Sequence, residues 1–248
     1  MTTVKNIYDY INTISPFDTQ KEWDNSGFLI GDFRKEVKNA VIALDCTNEV
    51  VEYAESVSAD LIITHHPVIF RGVKQIKSDS TIYRLINNDI AQISVHTPFD
   101  IAEGGINDNL AKLLSLHNIR KIADGDLVAG ELEEGMSIDD FAELVADTLG
   151  TNGIRYTDTE KLIKTVAVGG GACGEYVEDA MANADCFVTG EAKYHEMLDA
   201  QQMGYAVISA GHFETENKPF LMIKDTLEKL FVDVNFHIAP IQNPVKTI

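Results

Sequence analysis

Leu61-Ile62-Ile63-Thr64-His65-His66-Pro67 is an apolar, β-branched run that ends in two imidazoles and is stopped by a proline. The run has the length and composition of a buried strand, and Pro67 forces the chain out of it. Side chains alternate faces along a strand, so adjacent histidines can address two different metal ions only where the chain is leaving the strand. His65 and His66 stand at such an exit. Working outward, Ala40-Val41-Ile42-Ala43-Leu44-Asp45 and Ala91-Gln92-Ile93-Ser94-Val95 read as further strands, with helices predicted near 49–56 and 81–86. This βαβα order predicts a mainly parallel sheet with helices on both faces. An amphipathic helix opens the chain, with Val4, Ile7, Tyr8, Ile11 and Ile14 on one face and Pro16 after it. Trp23-Asp24-Asn25-Ser26-Gly27 follows as a turn-rich segment.

The acidic stretch 124–135, with Gly125, Gly130 and Gly135, reads as a boundary, after which the alternation begins again. Ser137 and Asp140 make a capping-box start for a helix that Gly150 ends. Strands are predicted at 165–168, 185–189 and 205–209, with helices between them. Two related α/β lobes with mainly parallel sheets therefore emerge: 1–124 and 125–216, the first completed by 217–248. Pro219 suits a first helical turn, so the helix carrying Phe220, Ile223, Leu227 and Leu230 is expected to begin near Glu216. On that reading His212 and Glu216 bracket a strand-to-helix loop and are not a helical i,i+4 pair. The closing strand, with Val232, Val234, Phe236 and Ile238 on one face, is expected to return to the first lobe.

The chain has 248 residues and a formal charge of −19, with no basic tract. Nucleic-acid binding draws on Lys and Arg neutralising phosphates, so the charge balance argues against a polyanion as partner. The opening Met1-Thr2-Thr3-Val4-Lys5 has no secretory pattern, and no run reaches the ~18 apolar residues of a membrane span. Three scattered cysteines form no CxxC, which argues for thiols in a reducing, cytoplasmic setting. In so acidic a protein an anionic substrate needs a local positive site.

Candidate ligands for such a site are His65, His66, Asp100, His212 and Glu216, each after a short β-like run. Three imidazoles and two carboxylates suit Zn²⁺, Mn²⁺ or Fe²⁺ and not the all-oxygen shell of Ca²⁺. Five ligands exceed one tetrahedral ion, which predicts two divalent cations sharing a bridge, Asp100 being the choice for it. Taken singly, Asp100 also suits a turn cap and Glu216 a helix N-terminus. His96 reads either as a donor orienting a ligand or as a buried structural histidine. The loop Gly169-Gly170-Gly171-Ala172-Cys173-Gly174 either cradles an anion or serves close packing, and it lacks a Walker ending. Cys173 reads as a small buried side chain or a nucleophile. Glu191, Lys193, Tyr194 and His195 follow another strand end, with Glu191 or His195 as candidate general base and Lys193 as an anion contact, against a solvated helix start.

Trp23-Asp24-Asn25-Ser26-Gly27, His65-His66-Pro67, His96-Thr97-Pro98-Phe99-Asp100, Thr189-Gly190-Glu191 with Lys193-Tyr194-His195, and Gly211-His212 through Thr215-Glu216 occur in this order. The order and spacing resemble the Nif-three-like, NGG-interacting-factor family, which also carries the label GTP cyclohydrolase I type 2. The resemblance spans nearly the whole chain. It implies two α/β lobes, a dinuclear centre from His65, His66, Asp100, His212 and Glu216, and a homohexameric ring with its metals facing the cavity. The chain lacks the domain some members insert between the lobes, has Glu191 where Asp is common, and has Cys173 in a loop that often bears serine. The function so implied is a two-metal hydrolase of a small phosphorylated or nucleotide substrate. The alternative is a non-catalytic metal-binding or partner-binding scaffold.

Overall fold

The computed structural model describes residues 1–151 and 153–246. Its elements in chain order begin with α1 (Val4–Ile14), β1 (Gly27–Ile30), β2 (Asn39–Ala43), α2 (Asn48–Ser56), β3 (Leu61–Thr64), α3 (Thr81–Asn87), β4 (Ala91–Ser94) and α4 (Thr97–Ile101). Next come α5 (Ile106–Leu113), β5 (His117–Ile122), β6 (Leu127–Met136), α6 (Ile138–Leu149), β7 (Arg155–Tyr156), β8 (Ile163–Gly169), α7 (Val177–Met181), β9 (Cys186–Thr189), α8 (Tyr194–Gln202) and β10 (Ala206–Ser209). The chain closes with α9 (His212–Leu221), α10 (Ile223–Leu230) and β11 (Asn235–Ile238). Two compact units result, Met1–Phe99 with Phe220–Gln242, and Asp100–Pro219 joined by the chain from Asn243.

In the first unit the strand order is β1-β4-β3-β2-β11. The β4-β3-β2-β11 pairs are parallel, and β1 adds an antiparallel edge. Strands β3 and β4 are buried at every position, as strands covered on both faces should be, including the polar Gln92 and Ser94 of β4. Val41, Ala43 and Ile62 pack with Val50, Val51 and Ala54 of α2 and Leu85 of α3 on one face. Parallel connections of this kind bring the C-terminal ends of β2, β3 and β4 to one edge of the sheet, which is where such folds carry ligands. The last strand pairs β11 residue Asn235 with Asn39 of β2, so the chain's end returns to its first sheet.

The second unit is a mixed sheet in the order β5-β6-β8-β9-β10-β7. Only β8-β9 and β9-β10 are parallel, so the expectation of a mainly parallel sheet holds for the first unit and not for this one. One face packs on Phe141, Val145 and Leu149 of α6, the other on Val177, Ala180 and Ala200 of α7 and α8.

The boundary lies at Phe99/Asp100 and not at 124–135. That acidic, glycine-bearing stretch is the turn and second strand of a hairpin. Asp124 and Gly125 take positive φ in the turn, and β6 then pairs with both β5 and β8. Gly130 marks close backbone approach, since a Cβ there would meet Leu116 Cβ at 2.9 Å and the His117 carbonyl at 3.0 Å. Linker-like composition here reflects sheet packing and the exposed carboxylates of Glu131, Glu133 and Glu134.

The helix near Pro219 also differs from expectation. α9 starts at His212 and holds Pro219 in its body, so His212 and Glu216 are a helical i,i+4 pair, and the predicted single helix is broken between Leu221 and Ile223. Proline removes one helical N–H and crowds the carbonyl four residues back, which costs about 3 kcal/mol in an interior. The side-chain amide of Asn109, buried, donates to the Pro219 carbonyl at 3.1 Å and helps hold the distorted turn.

Candidate metal centre

In the first unit, the backbone N–H groups of both His65 and His66 donate to the Leu44 carbonyl at 3.1 and 3.0 Å, which turns the chain off β3 and separates the two rings. A buried polar ladder fixes the turn from below. Gln92 Nε2 donates to Thr64 Oγ1 and Ser94 Oγ at 2.8 and 2.9 Å, while Thr64 Oγ1 and Ser94 Oγ donate to the His66 carbonyl at 2.8 and 3.2 Å. Polar residues at buried strand positions thus support the histidine turn.

Each ring is oriented through Nδ1. His65, fully buried, donates to the Val95 carbonyl at 2.8 Å, His66 to Asp45 Oδ1 at 2.7 Å, and His96 to Asp24 Oδ1 at 2.7 Å. A carbonyl acceptor requires the proton on Nδ1 of His65, which makes Nε2 its coordinating nitrogen, and the carboxylates favour the same tautomer in the other two. Ring centroids lie 4.9, 5.0 and 5.4 Å apart in the His65–His66, His65–His96 and His66–His96 pairs. Their ligand atoms all fall within 4.8 Å of one another, a group able to hold a metal ion. His96 therefore joins the two histidines read from the sequence, and its orienting partner comes from the Trp23–Gly27 segment.

Asp24 is the anchor of that arrangement. Its side chain is shielded from solvent and also accepts from Thr97 N and Oγ1 at 3.2 and 2.6 Å and from Ser26 Oγ at 2.8 Å. Burial alone would raise the carboxyl's pKa, but hydrogen bonds from His96, Thr97 and Ser26 hold it well below the usual carboxylate range. Neither Asp24 nor Asp45 stands out as a ligand in the sequence. The available signal was position, since Asp24 lies in the Trp23–Gly27 segment and Asp45 ends the apolar run 40–44.

In the second unit, the first turn of α9 brings His212 Nε2 to 3.1 Å from Glu216 Oε2. Glu191, just after β9, accepts from His212 Nδ1 at 2.9 Å. Burial works to lower the His212 pKa, but Glu216 and then Glu191 outweigh it and raise it to about 9. Asp100 lies in α4. Its charge, with that of Glu216, adds to burial in pushing the Cys173 thiol far up, so Cys173 is a poor nucleophile at neutral pH.

The glycine loop serves close packing. Its N–H groups at Gly170, Gly171, Cys173 and Gly174 donate to Asn107 Oδ1, Thr215 Oγ1, Thr189 Oγ1 and the Glu191 carbonyl. A Cβ at Gly171, whose φ is +65°, would collide with Glu216 Oε1 and approach His212 Nε2 to 3.3 Å. The loop thus lets Glu216 and His212 come down onto backbone, and those four amides already have protein acceptors.

Glu191 and Lys193 line a pocket of about 260 Å³ with Arg155, Glu175 and Glu196. His195 lies outside that lining, largely exposed at the start of α8, with Nε2 4.0 Å from Glu196 Oε1. Among the described residues no helix is long and apolar enough to cross a membrane.

The chain is 33% identical over 95% of its length to a Clostridium perfringens protein named GTP cyclohydrolase 1 type 2 homolog, of which the alignment covers 95%. It is 28% identical, end to end on both sides, to the Helicobacter pylori protein named GTP cyclohydrolase 1 type 2. The crystal structure of a Staphylococcus aureus protein superposes with a TM-score of 0.92 at 27% identity, covering 100% of this chain and 99% of that one. Residues 2–244 match the family model of Duf34/NIF3 (NGG1p interacting factor 3), and the chain belongs to that family.

Proposed function

We propose that the protein is a dinuclear metal-dependent hydrolase acting on a small phosphorylated or nucleotide substrate. The observation that carries this reading is the set of histidines oriented through Nδ1, with ligand atoms within 4.8 Å of one another. Preset tautomers at converging rings are a device of metal sites, where outer partners orient the ligands. The ligands in this reading are His65, His66, Asp100, His212 and Glu216. Their mixed nitrogen and oxygen donors fit Zn²⁺, Mn²⁺ or Fe²⁺. Two such ions supply Lewis acidity, lowering the pKa of water and offsetting the charge that develops as it attacks.

The chain's own groups do the rest. Asp45, Asp24 and Glu191 hold His66, His96 and His212 by their Nδ1 protons. Glu191, touching His212 and facing the pocket beside Lys193, is placed to take a proton from a substrate there, and exposed His195 to exchange one with solvent. Lys193 is the anion contact of that pocket. The names of the relatives support a nucleotide substrate, as GTP cyclohydrolase 1 type 2 would require. The same reading includes a homohexamer, and its three cysteines, all thiols in this fold, suit the cytoplasm.

A nucleotide panel assayed with metal-loaded and chelated protein tests the reading. Turnover of a nucleotide that is lost on chelation and restored by Zn²⁺, Mn²⁺ or Fe²⁺ is the expected result. No turnover by any metal form across the panel would favour a binding scaffold. Metal analysis should saturate near two ions per chain, and saturation at one would remove the dinuclear centre.

A further inference from the structure

The histidine cluster of the first unit carries an exposed aromatic pair. Trp23 and Phe70 remain 58% and 43% exposed, yet their rings lie 5.8 Å apart, and each meets His96 edge-on, at 5.7 and 6.0 Å. Large rings left in solvent cost hydrophobic free energy, and here they border the imidazole group itself. Asn25 Nδ2 donates to the Ile69 carbonyl at 2.5 Å and ties the turn holding Trp23 to the loop holding Phe70. Loop 67–80 also carries Arg71, Lys74 and Lys77 against one acid, Asp79, in a chain of net charge −19. Arg71, Lys74 and Lys77 are all exposed.

We propose that Trp23 and Phe70 form a stacking platform for the planar base of a nucleotide, with the cations of loop 67–80 drawing in its phosphates. This deepens the nucleotide reading above and rests on it. Stacking on an aromatic face suits any base and explains how the ring is held without a hydrogen-bonding motif in the sequence. The cations supply a local positive field on an otherwise acidic surface. Here the aromatic pair acts as a binding and positioning element, in contact with the base.

Trp23 is the chain's single tryptophan and so reports its own occupancy. Metal-loaded protein should show saturable quenching of Trp23 fluorescence with GTP and with guanosine, the latter more weakly. Inorganic tripolyphosphate should compete with GTP without the base-dependent quench. Phe70→Leu should raise the Kd for GTP on the order of tenfold, the scale of one lost base–aromatic contact, while Phe70→Tyr restores it and tripolyphosphate competes as before. Metal content and mass by light scattering should match wild type in both variants. GTP bound equally by Phe70→Leu and wild type, or a quench that tripolyphosphate reproduces, would overturn the platform. A change of oligomeric mass in Phe70→Leu would also overturn it, by showing that the rings serve contacts between copies. GTP that stacks while no nucleotide of the panel is turned over leaves the platform standing and removes the hydrolase reading. Turnover with unaltered KM in Phe70→Leu does the reverse.

Discussion

The histidine group of the first unit and the His212–Glu216 pair of the second use opposite means to hold imidazoles. In the first, strand ends set the backbone, and the buried Val95 carbonyl, the shielded Asp24 carboxylate and the partly exposed Asp45 carboxylate set the tautomers. Val95 offers a carbonyl and Asp24 a shielded carboxylate in a network of five donors from Ser26, His96, Thr97 and Asn25. In the second, one helical turn sets the spacing, and the partners Glu191 and Glu216 are charged, with Glu191 60% exposed. A neutral acceptor such as the Val95 carbonyl leaves an imidazole ready for a cation, whereas two carboxylates hold a proton on His212 that a metal must displace. His65 and His96 are thus preorganised by buried acceptors, and His66 and His212 by carboxylates that solvent reaches.

The largest effect should come from removing a ligand. His66→Ala and Glu216→Ala are expected to lose metal, measured by elemental analysis after dialysis, and to lose activity with it. The loss should exceed the roughly 10- to 100-fold fall in affinity typical of an outer partner. Retention of both ions by either variant would detach that residue from the centre. Next come the groups proposed for proton transfer. Glu191→Gln and His195→Ala, at saturating metal, should keep both ions and lower turnover by on the order of 10² or more. Glu191→Gln should also weaken metal binding, because it alters the partner of His212, and His195→Ala should not. Wild-type turnover in His195→Ala would make it a solvated helix start.

Acid and base should separate the two regions by sign. Asp24 has a folded pKa below its unfolded value, so its contribution is present above ~4 and is lost as pH falls toward the folded value. His212 has a folded pKa raised to about 9, so in the metal-free protein its contribution is present below ~6.5 and lost as pH rises through 9. Asp24→Asn should lower stability near neutrality by about 2 kcal/mol, a hydrogen-bonded buried charge, with the gap to wild type closing in acid. His212→Gln should narrow its gap only on the alkaline side. Melting temperatures of both variants from pH 3 to 10, with chelator present, check this, and gaps that do not move with pH would refute it. The smallest effect belongs to Cys173→Ser. A partly buried thiol with a raised pKa that donates to the Gly170 carbonyl is expected to be replaceable at wild-type turnover, and inactivation with metal retained would reinstate it as a nucleophile.

Much of this was legible along the chain. The runs at 40–44 and 61–63 are apolar at successive positions because parallel strands are covered on both faces, and 91–95 carries Ala91, Ile93 and Val95, so β2, β3 and β4 were read near their observed bounds. His65 and His66 were legible for the same reason, since Pro67 ends the strand at them. β6 was not, because its glycines and acids read as a turn although it is an interior strand, whose second partner, β8, lies beyond α6 and β7 in sequence. The start of α9 was hidden by Pro219, whose local rule argues against an earlier helix, and buried Asn109 helps hold the distorted turn.

Local patterning determined the secondary elements, the acidic surface and the residue types able to bind metal, since periodicity, breakers and donor chemistry are properties of neighbours in sequence. Tertiary structure alone decided which donors are oriented and how. Asp24 reaches His96 across 72 positions and Glu191 reaches His212 across 21, and such pairings exist only once the strands have aligned in register and closed the loops between them.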